Sequence, residues 1–323
     1  MGGATFAAVS ALSGFSKADA AILALLDRLK QLDYAFVTPT PETHRRVVTR
    51  KPGMRAADLR DIFGWSLPFA RATLPDDLFQ LLDAAGMLRE TEDGLRSKIR
   101  VSTLDGRLLV HSAWPTDRSD SVFLGPDTYR FARFIQQELA ACRPARTLVD
   151  IGTGSGAGAI VAASHWPFAR VILTDINPLA LRFAQINARH NRLAVELIEG
   201  RGLESVDDEP DLVIANPPFI IDPTKRAYRD GGDHHGTALS LEWALTTARR
   251  LAPRGRMLLY TGSAIVGGHD RLCAELRSQL PVLGCRLDYV EIDPDIFGEQ
   301  LDEPGYEDVE RIAAIGAVIT RDA

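Results

Sequence analysis

Val149-Asp150-Ile151-Gly152-Thr153-Gly154-Ser155-Gly156 is the stretch whose reading decides the fold. An apolar run meets an acid and then three glycines at alternate positions. Arg146 to Ile151 reads as a buried strand and Gly158 to Ser164 as a helix. The glycines between them let the backbone turn sharply and approach a ligand closely. Such a turn is a weak signal on its own. The dinucleotide fingerprint needs G-x-G-x-x-G, whereas here the spacing is G-x-G-x-G, with no evident cradle for a pyrophosphate.

The same alternation continues outward. Ala169 to Thr174, Ala194 to Ile198, Asp211 to Ala215 and Arg256 to Thr261 read as further strands, with helices at Pro178–His190 and Ala238–Leu251. That order predicts an α/β fold, a doubly wound parallel sheet with right-handed crossovers. Arg286 to Ile292 and Arg311 to Thr320 have no long helix between them and are expected to pair antiparallel at one edge, for seven strands in all. The acidic stretch between them, Asp293 to Glu310, is open to three readings, a cover for the pocket, a surface that repels nucleic acid or a solvated loop, and the solvated loop is expected.

The N-terminal third reads differently. Ser16 with Asp19 forms a variant capping box, followed by Ile22, Leu25, Leu26, Leu29 and Leu32 at helical spacing. Thr38-Pro39-Thr40-Pro41 breaks that pattern. The basic segment from Arg45-Arg46 through Arg50-Lys51 to Arg55 is read as a solvated connector rather than a patch for RNA or an acidic partner. Asp58 to Phe63 is a short helix, and Pro75-Asp76-Asp77 opens another that Gly86 ends. Two Asp-Gly turns, at 93–94 and 105–106, then mark a β-hairpin or ribbon. Helices followed by a ribbon predict a smaller, winged-helix-like α+β domain over residues 1–120, ahead of the larger domain at 121–323.

Composition sets the bounds. The chain has 323 residues, 37 Lys and Arg against 43 Asp and Glu, a net charge of -6 and 46% apolar residues. This is ordinary globular composition, and its acidity disfavours a dedicated nucleic-acid binder. Three scattered cysteines, Cys142, Cys273 and Cys285, form no C-x-x-C pair, so no metal site is expected and a reducing cytoplasm fits. No apolar run is long enough for a membrane helix. Met1 to Gly14 lacks a basic n-region and reads as a loose terminus.

Two further strand ends point to a site. Asp175 ends the second strand, where a carboxylate can accept both ribose hydroxyls of a nucleoside. Asn177 can cap the next helix with Pro178 as its first residue, which leaves Asp175 free for a ligand. The fourth strand ends in Asn216-Pro217-Pro218-Phe219. Successive prolines cannot donate hydrogen bonds and hold the chain extended, so the Asn216 side chain and the Pro217 carbonyl become fixed acceptors beside a ring.

The C-terminal two thirds resemble a class I S-adenosylmethionine-dependent methyltransferase of the N-P-P-[FY] group, in particular the protein-glutamine N-methyltransferases acting on release factors. The resemblance rests on segments in order: Asp127-Thr128-Tyr129, V-D-I-G-T-G-S-G at 149–156, T-D-I-N-P-L-A-L at 174–181, Asn187-Ala188 with Asn191, N-P-P-F at 216–219 and Tyr228-Arg229-Asp230-Gly231-Gly232. It implies a Rossmann-like methyltransferase sheet. It implies that Gly152, Thr153, Gly154 and Gly156 pass under the methionine moiety, with Asp150 near its amino group. Asp175 would hold the ribose and Ile176 would pack on the adenine. Asn216 and the Pro217 carbonyl would accept hydrogen bonds from a substrate NH₂, while Pro218 and Phe219 line its place and Phe219 stacks on it. Many relatives carry an acidic residue after the third strand to read the adenine amino group. Here Glu199-Gly200-Arg201-Gly202-Leu203 stands instead, leaving backbone groups of Arg201 and Gly202 for that contact. His234 and His235 follow the motif and are read as surface residues. The expected reaction is methyl transfer, leaving S-adenosylhomocysteine, to a protein glutamine or a small-molecule amine or amide. The alternative is an exocyclic amine of an RNA or DNA base. A nicotinamide oxidoreductase is disfavoured by the glycine spacing and by N-P-P-F, and a silent binding module by the presence of Asp175 and Asn216. A divergent alkylation or cyclisation with the same sulfonium stays open.

Overall fold

Ser16 accepts the Asp19 amide while the Asp19 carboxylate accepts the Ser16 amide, and this capping box opens α1 (Lys17–Gln31). Its stripe of Ile22, Leu25, Leu26 and Leu29 is fully buried. The computed structural model describes residues 14–50, 53–140, 145–222 and 229–323. The expected loose terminus at 1–13, together with Lys51, Cys142 and Tyr228, lies outside the described residues.

The basic segment is solvated as expected, but its first part is helical rather than a connector. Thr40 caps and Pro41 starts α2 (Pro41–Thr49), in which Glu42 takes both Arg45 and Arg46 as partners and His44 is buried. Proline pre-sets the dihedral of a first helical residue, so the residue that ends one helical pattern begins the next. Then come α3 (Leu59–Phe63) and α4 (Asp76–Ala84), which packs on α1. Each Asp-Gly turn closes a separate two-stranded antiparallel sheet, β1 (Leu88–Thr91) with β2 (Gly94–Ser97) and β3 (Ile99–Leu104) with β4 (Arg107–Ser112).

From α5 (Pro126–Ala140) the chain alternates: β5 (Thr147–Ile151), α6 (Ala157–His165), β6 (Arg170–Asp175), α7 (Pro178–His190), β7 (Glu196–Glu199), β8 (Leu212–Ala215), α8 (Ala238–Ala248), β9 (Arg256–Val266), the two-residue β10 (His269–Asp270), α9 (Arg271–Gln279), β11 (Cys285–Asp293) and β12 (Arg311–Arg321). The sheet order is β11-β12-β9-β8-β5-β6-β7, with β10 folding back on β9. β7, β6, β5, β8 and β9 run parallel, β12 is antiparallel to β9, and β11 is antiparallel to β12. This is the expected doubly wound sheet with its antiparallel edge. Strand order reverses at β5, whose neighbours β6 and β8 send their crossovers to opposite faces. The crevice at the carboxyl end of β5 is therefore where ligands bind in such sheets.

The two parts share packing. Ala180, Phe183 and Ile186 of α7 belong to the same apolar cluster as α1, α4 and β3. Arg182 pairs with Asp19 at 2.6 Å. Asn187, fully buried, accepts the Val110 amide and donates to the carbonyls of Val110 and Ser155. One side chain thus ties β4 to the glycine turn.

The stretch 293–310 is largely exposed, as expected of a solvated loop, but it is anchored. Ile296, Gln300, Tyr306 and Val309 are buried in it. Its alternation of carboxylates with single apolar residues hides these anchors, because neither a helical nor a strand period is present.

Candidate functional site

At the carboxyl ends of β5, β6 and β8 lies a cavity of about 630 Å³. Asp150 at the end of β5 is 2% exposed, and its Oδ2 accepts from the Thr153 hydroxyl and the Ala159 amide. Burial outweighs those two bonds and pushes its carboxyl up to about 7. Oδ1 has no partner among the described residues.

The three glycines of the turn are all left-handed, at φ of 65°, 55° and 78°. Their surroundings differ. A Cβ on Gly152 would stand 2.6 Å from the Trp243 ring, one on Gly156 would stand 3.2 Å from Ala184 of α7, and one on Gly154 would meet open space. Gly152 and Gly154 line the cavity with Thr153, whereas Gly156 does not. Gly156 serves helix packing and the turn.

Asp175 lines the opposite wall but is not free. Its Oδ2 accepts the Gly154 amide and its Oδ1 the Asn177 amide, each at 2.9 Å, while Asn177 caps Leu179 as expected. Burial raises its carboxyl above the usual range despite these bonds. Each oxygen keeps a further lone pair for a ligand hydroxyl. Ile176 beside it is 55% exposed and presents an apolar surface on the cavity wall. Across from it lie Arg201 and Gly202, with the Gly202 carbonyl held by the Thr174 hydroxyl and Arg201 paired to Glu242.

Trp243 of α8 was not singled out from sequence. Its ring backs Gly152 on one side and Gly202 on the other, and its buried indole N–H has no partner among the described residues. Only a residue at a helical spacing from Ser240 and Thr247 marks it in the sequence, which is an ordinary core signal.

Asn216, Pro217, Pro218 and Phe219 follow β8 and all line the cavity. The Asn216 side chain makes no hydrogen bond among the described residues. Phe219 is buried flat against Gly262, where a Cβ would be 2.3 Å from its ring. The chain after the motif folds back to brace it: the Gly231 amide donates to the Ile220 carbonyl, and a Cβ on Gly236 would be 2.4 Å from the Phe219 carbonyl. His234 and His235 stay outside the cavity. Pro41 and Thr116 from the N-terminal part line its rim with Phe123. No group of His, Cys, Asp and Glu suited to a metal occurs among the described residues.

Residues 128–230 match the family described as the Methyltransferase small domain. The chain is 32% identical over 180 residues to a release factor glutamine methyltransferase of Deinococcus radiodurans, covering 54% of this chain and 63% of that protein. It is 31% identical over 124 residues to ribosomal RNA small subunit methyltransferase C of Ectopseudomonas mendocina, 34% of this chain and 38% of that one. The chain thus spans less than two thirds of the length of these curated relatives. Among solved structures, Trm5b from Pyrococcus abyssi superposes with a TM-score of 0.50 at 14% identity, over 77% of this chain and 72% of that one, a likeness of fold. In its matched segment and in its fold the chain is thus similar to methyltransferases. Within that class it resembles the protein-glutamine N-methyltransferases.

Proposed function

We propose that the protein transfers a methyl group from S-adenosylmethionine to a planar NH₂ nitrogen, in the first instance a glutamine side chain of a protein. The carrying observation is Asn216 with Pro217 at the end of β8, an amide side chain without a hydrogen-bond partner among the described residues beside a carbonyl that the prolines hold in place.

The residues fit the cofactor. Gly154 leaves open space where a Cβ would stand, Trp243 offers an N–H beside Gly202 that has no partner among the described residues, Asp150 Oδ1 suits an ammonium, and Asp175 suits the ribose. When bound, S-adenosylmethionine supplies a methyl group on a good leaving sulfur. The protein's part is to align and dehydrate the pair, and orientation of this kind is worth roughly 7–11 kcal/mol. An amide nitrogen is a poor nucleophile because its lone pair is delocalised. Two acceptors on its hydrogens, Asn216 Oδ1 and the Pro217 carbonyl, favour the pyramidal form and stabilise the positive charge that develops there. The proton leaves after transfer, so no strong base is required. Neither His234 nor His235 is needed for one.

Electrostatics favour a protein or small-molecule acceptor over nucleic acid. Residues 293–310, which border the acceptor side through Phe297, contain eight carboxylates and no Lys or Arg. Arg45 and Arg46 of the basic segment are already paired with Glu42. A net-negative stretch beside the acceptor side disfavours phosphates. No helix is long and apolar enough to cross a membrane among the described residues. Cys273 and Cys285 are free and buried, in keeping with a cytoplasmic site of action.

The test is transfer of labelled methyl into fractionated extract and into a purified unmethylated release factor. Asn216→Ala is expected to abolish transfer while S-adenosylhomocysteine affinity stays within about twofold. Asp175→Ala is expected to weaken that affinity at least tenfold. Near-normal turnover by Asn216→Ala would sink the proposed NH₂ site. Label that disappears on nuclease treatment would move the acceptor to a nucleic-acid base.

A further inference from the structure

We infer that Phe297, on the acidic stretch between β11 and β12, is the acceptor-specificity residue of this site: with Phe219 it forms a two-sided aromatic corner that holds the flat group to be methylated. The inference rests on the methyl-transfer reading above.

Three observations carry it. The Phe297 ring lines the cavity and is half-buried, 5.6 Å from the Phe219 ring at an interplanar angle of 74°. Two rings near a right angle present one face to stack on a planar group and a second to close its end. Phe219 is itself immobilised against Gly262, so Phe297 is the ring whose identity is free to set what enters.

The backbone of Phe297 is left-handed, at φ 55° and ψ 40°. An aromatic residue there is an outlier, and such strain collects at functional sites. Gly298 stands next in sequence and would have taken that conformation without strain.

The stretch is clasped to the chain that follows the N-P-P-F motif. Tyr306 accepts the Ile221 amide at 2.9 Å, Gln300 accepts from Arg229 at 2.6 Å, and His235 lies 3.0 Å from Asp308. Ile296, directly before Phe297, is pinned by its amide to the Ile312 carbonyl. The backbone that carries the ring is therefore held at Ile296 and, through the Gln300 amide on the Phe297 carbonyl, within its own segment.

The experiment uses the full chain and the variants Phe297→Ala, Phe297→Leu and Phe297→Tyr, with purified release factor as acceptor. Loss of one aromatic face is expected to raise KM about tenfold for Ala and Leu. kcat should stay within threefold, and S-adenosylhomocysteine affinity by calorimetry within twofold. Tyr, which keeps the face, should restore KM. An unchanged KM in Phe297→Ala overturns the inference. So does a parallel fall of kcat, cofactor affinity and thermal midpoint, which would mark a structural role. If wild type does not methylate the release factor, that acceptor reading fails. The same variants are then assayed on whichever extract fraction wild type labels in an Asn216-dependent way, and an unchanged KM there overturns the inference independently. Absence of Asn216-dependent label on any acceptor overturns both.

Discussion

Asp150 offers the sharpest quantitative test. Its carboxyl is raised from 3.8 to about 7, with burial as the largest cause, the Thr153 and Ala159 bonds opposing it, and Asp175 nearby adding to the rise. The folded protein therefore keeps a proton that the unfolded chain has released between these two values. Stability from this group is complete below 3.8 and is lost as pH rises through 7. At about 1.4 kcal/mol per unit, the loss is roughly 4 kcal/mol. Asp150→Asn removes the titration while its carbonyl oxygen can still accept from Thr153 and Ala159. Chemical denaturation should show variant and wild type equal near pH 4 and the variant more stable by roughly 3–4 kcal/mol at pH 8. Ligand binding tests the same group. A ligand ammonium beside Asp150 favours the carboxylate, so binding S-adenosylhomocysteine releases the proton. Release should approach one proton per ligand well below pH 7 and fall toward zero well above it. Calorimetry in two buffers of different ionisation enthalpy reads this directly. Asp150→Asn should abolish the release and lower affinity at least tenfold. Proton uptake independent of pH in wild type, or a variant no more stable at pH 8, would refute the reasoning.

Two structural predictions accompany it. Gly152→Ala adds a Cβ 2.6 Å from the Trp243 ring at a left-handed position, and should cost roughly 2–4 kcal/mol with a shift in tryptophan emission; an unaltered thermal midpoint would contradict the buttress role of Trp243. Asn187→Ala strips partners from the Val110 amide, the Val110 carbonyl and the Ser155 carbonyl, and should cost roughly 3–5 kcal/mol. Hydrogen exchange should quicken at both Val110 and the 152–156 turn, and protection retained at either would show that the side chain does not couple them.

Much of this was legible because each signal is local. The apolar run before Gly152 could only be a strand, and the alternation after it fixed a parallel sheet with an antiparallel end. The loops at β5, β6 and β8 converge because strand order reverses at β5, so Asp150, Asp175 and Asn216 met in one cavity as their strand-end positions required. The helices α5 and α9 went unread, as did α2, where Pro41 both ends one pattern and caps the next. Asp175 was read as free once Asn177 took the capping role, yet it accepts two backbone amides of its own, which only the meeting of two loops supplies.

The sequence by itself determined the sheet, the turn and the strand ends, because backbone dihedral preference and apolar period act over a few neighbouring residues. Tertiary structure decided the rest. It set Trp243 under two glycines, joined β4 to the cofactor turn through Asn187, and folded residues 293–310 against the N-P-P-F loop so that Phe297 faces Phe219. Those contacts join residues far apart in the chain, and their energy comes from burial and from satisfying distant polar groups, which no local pattern of residue types encodes.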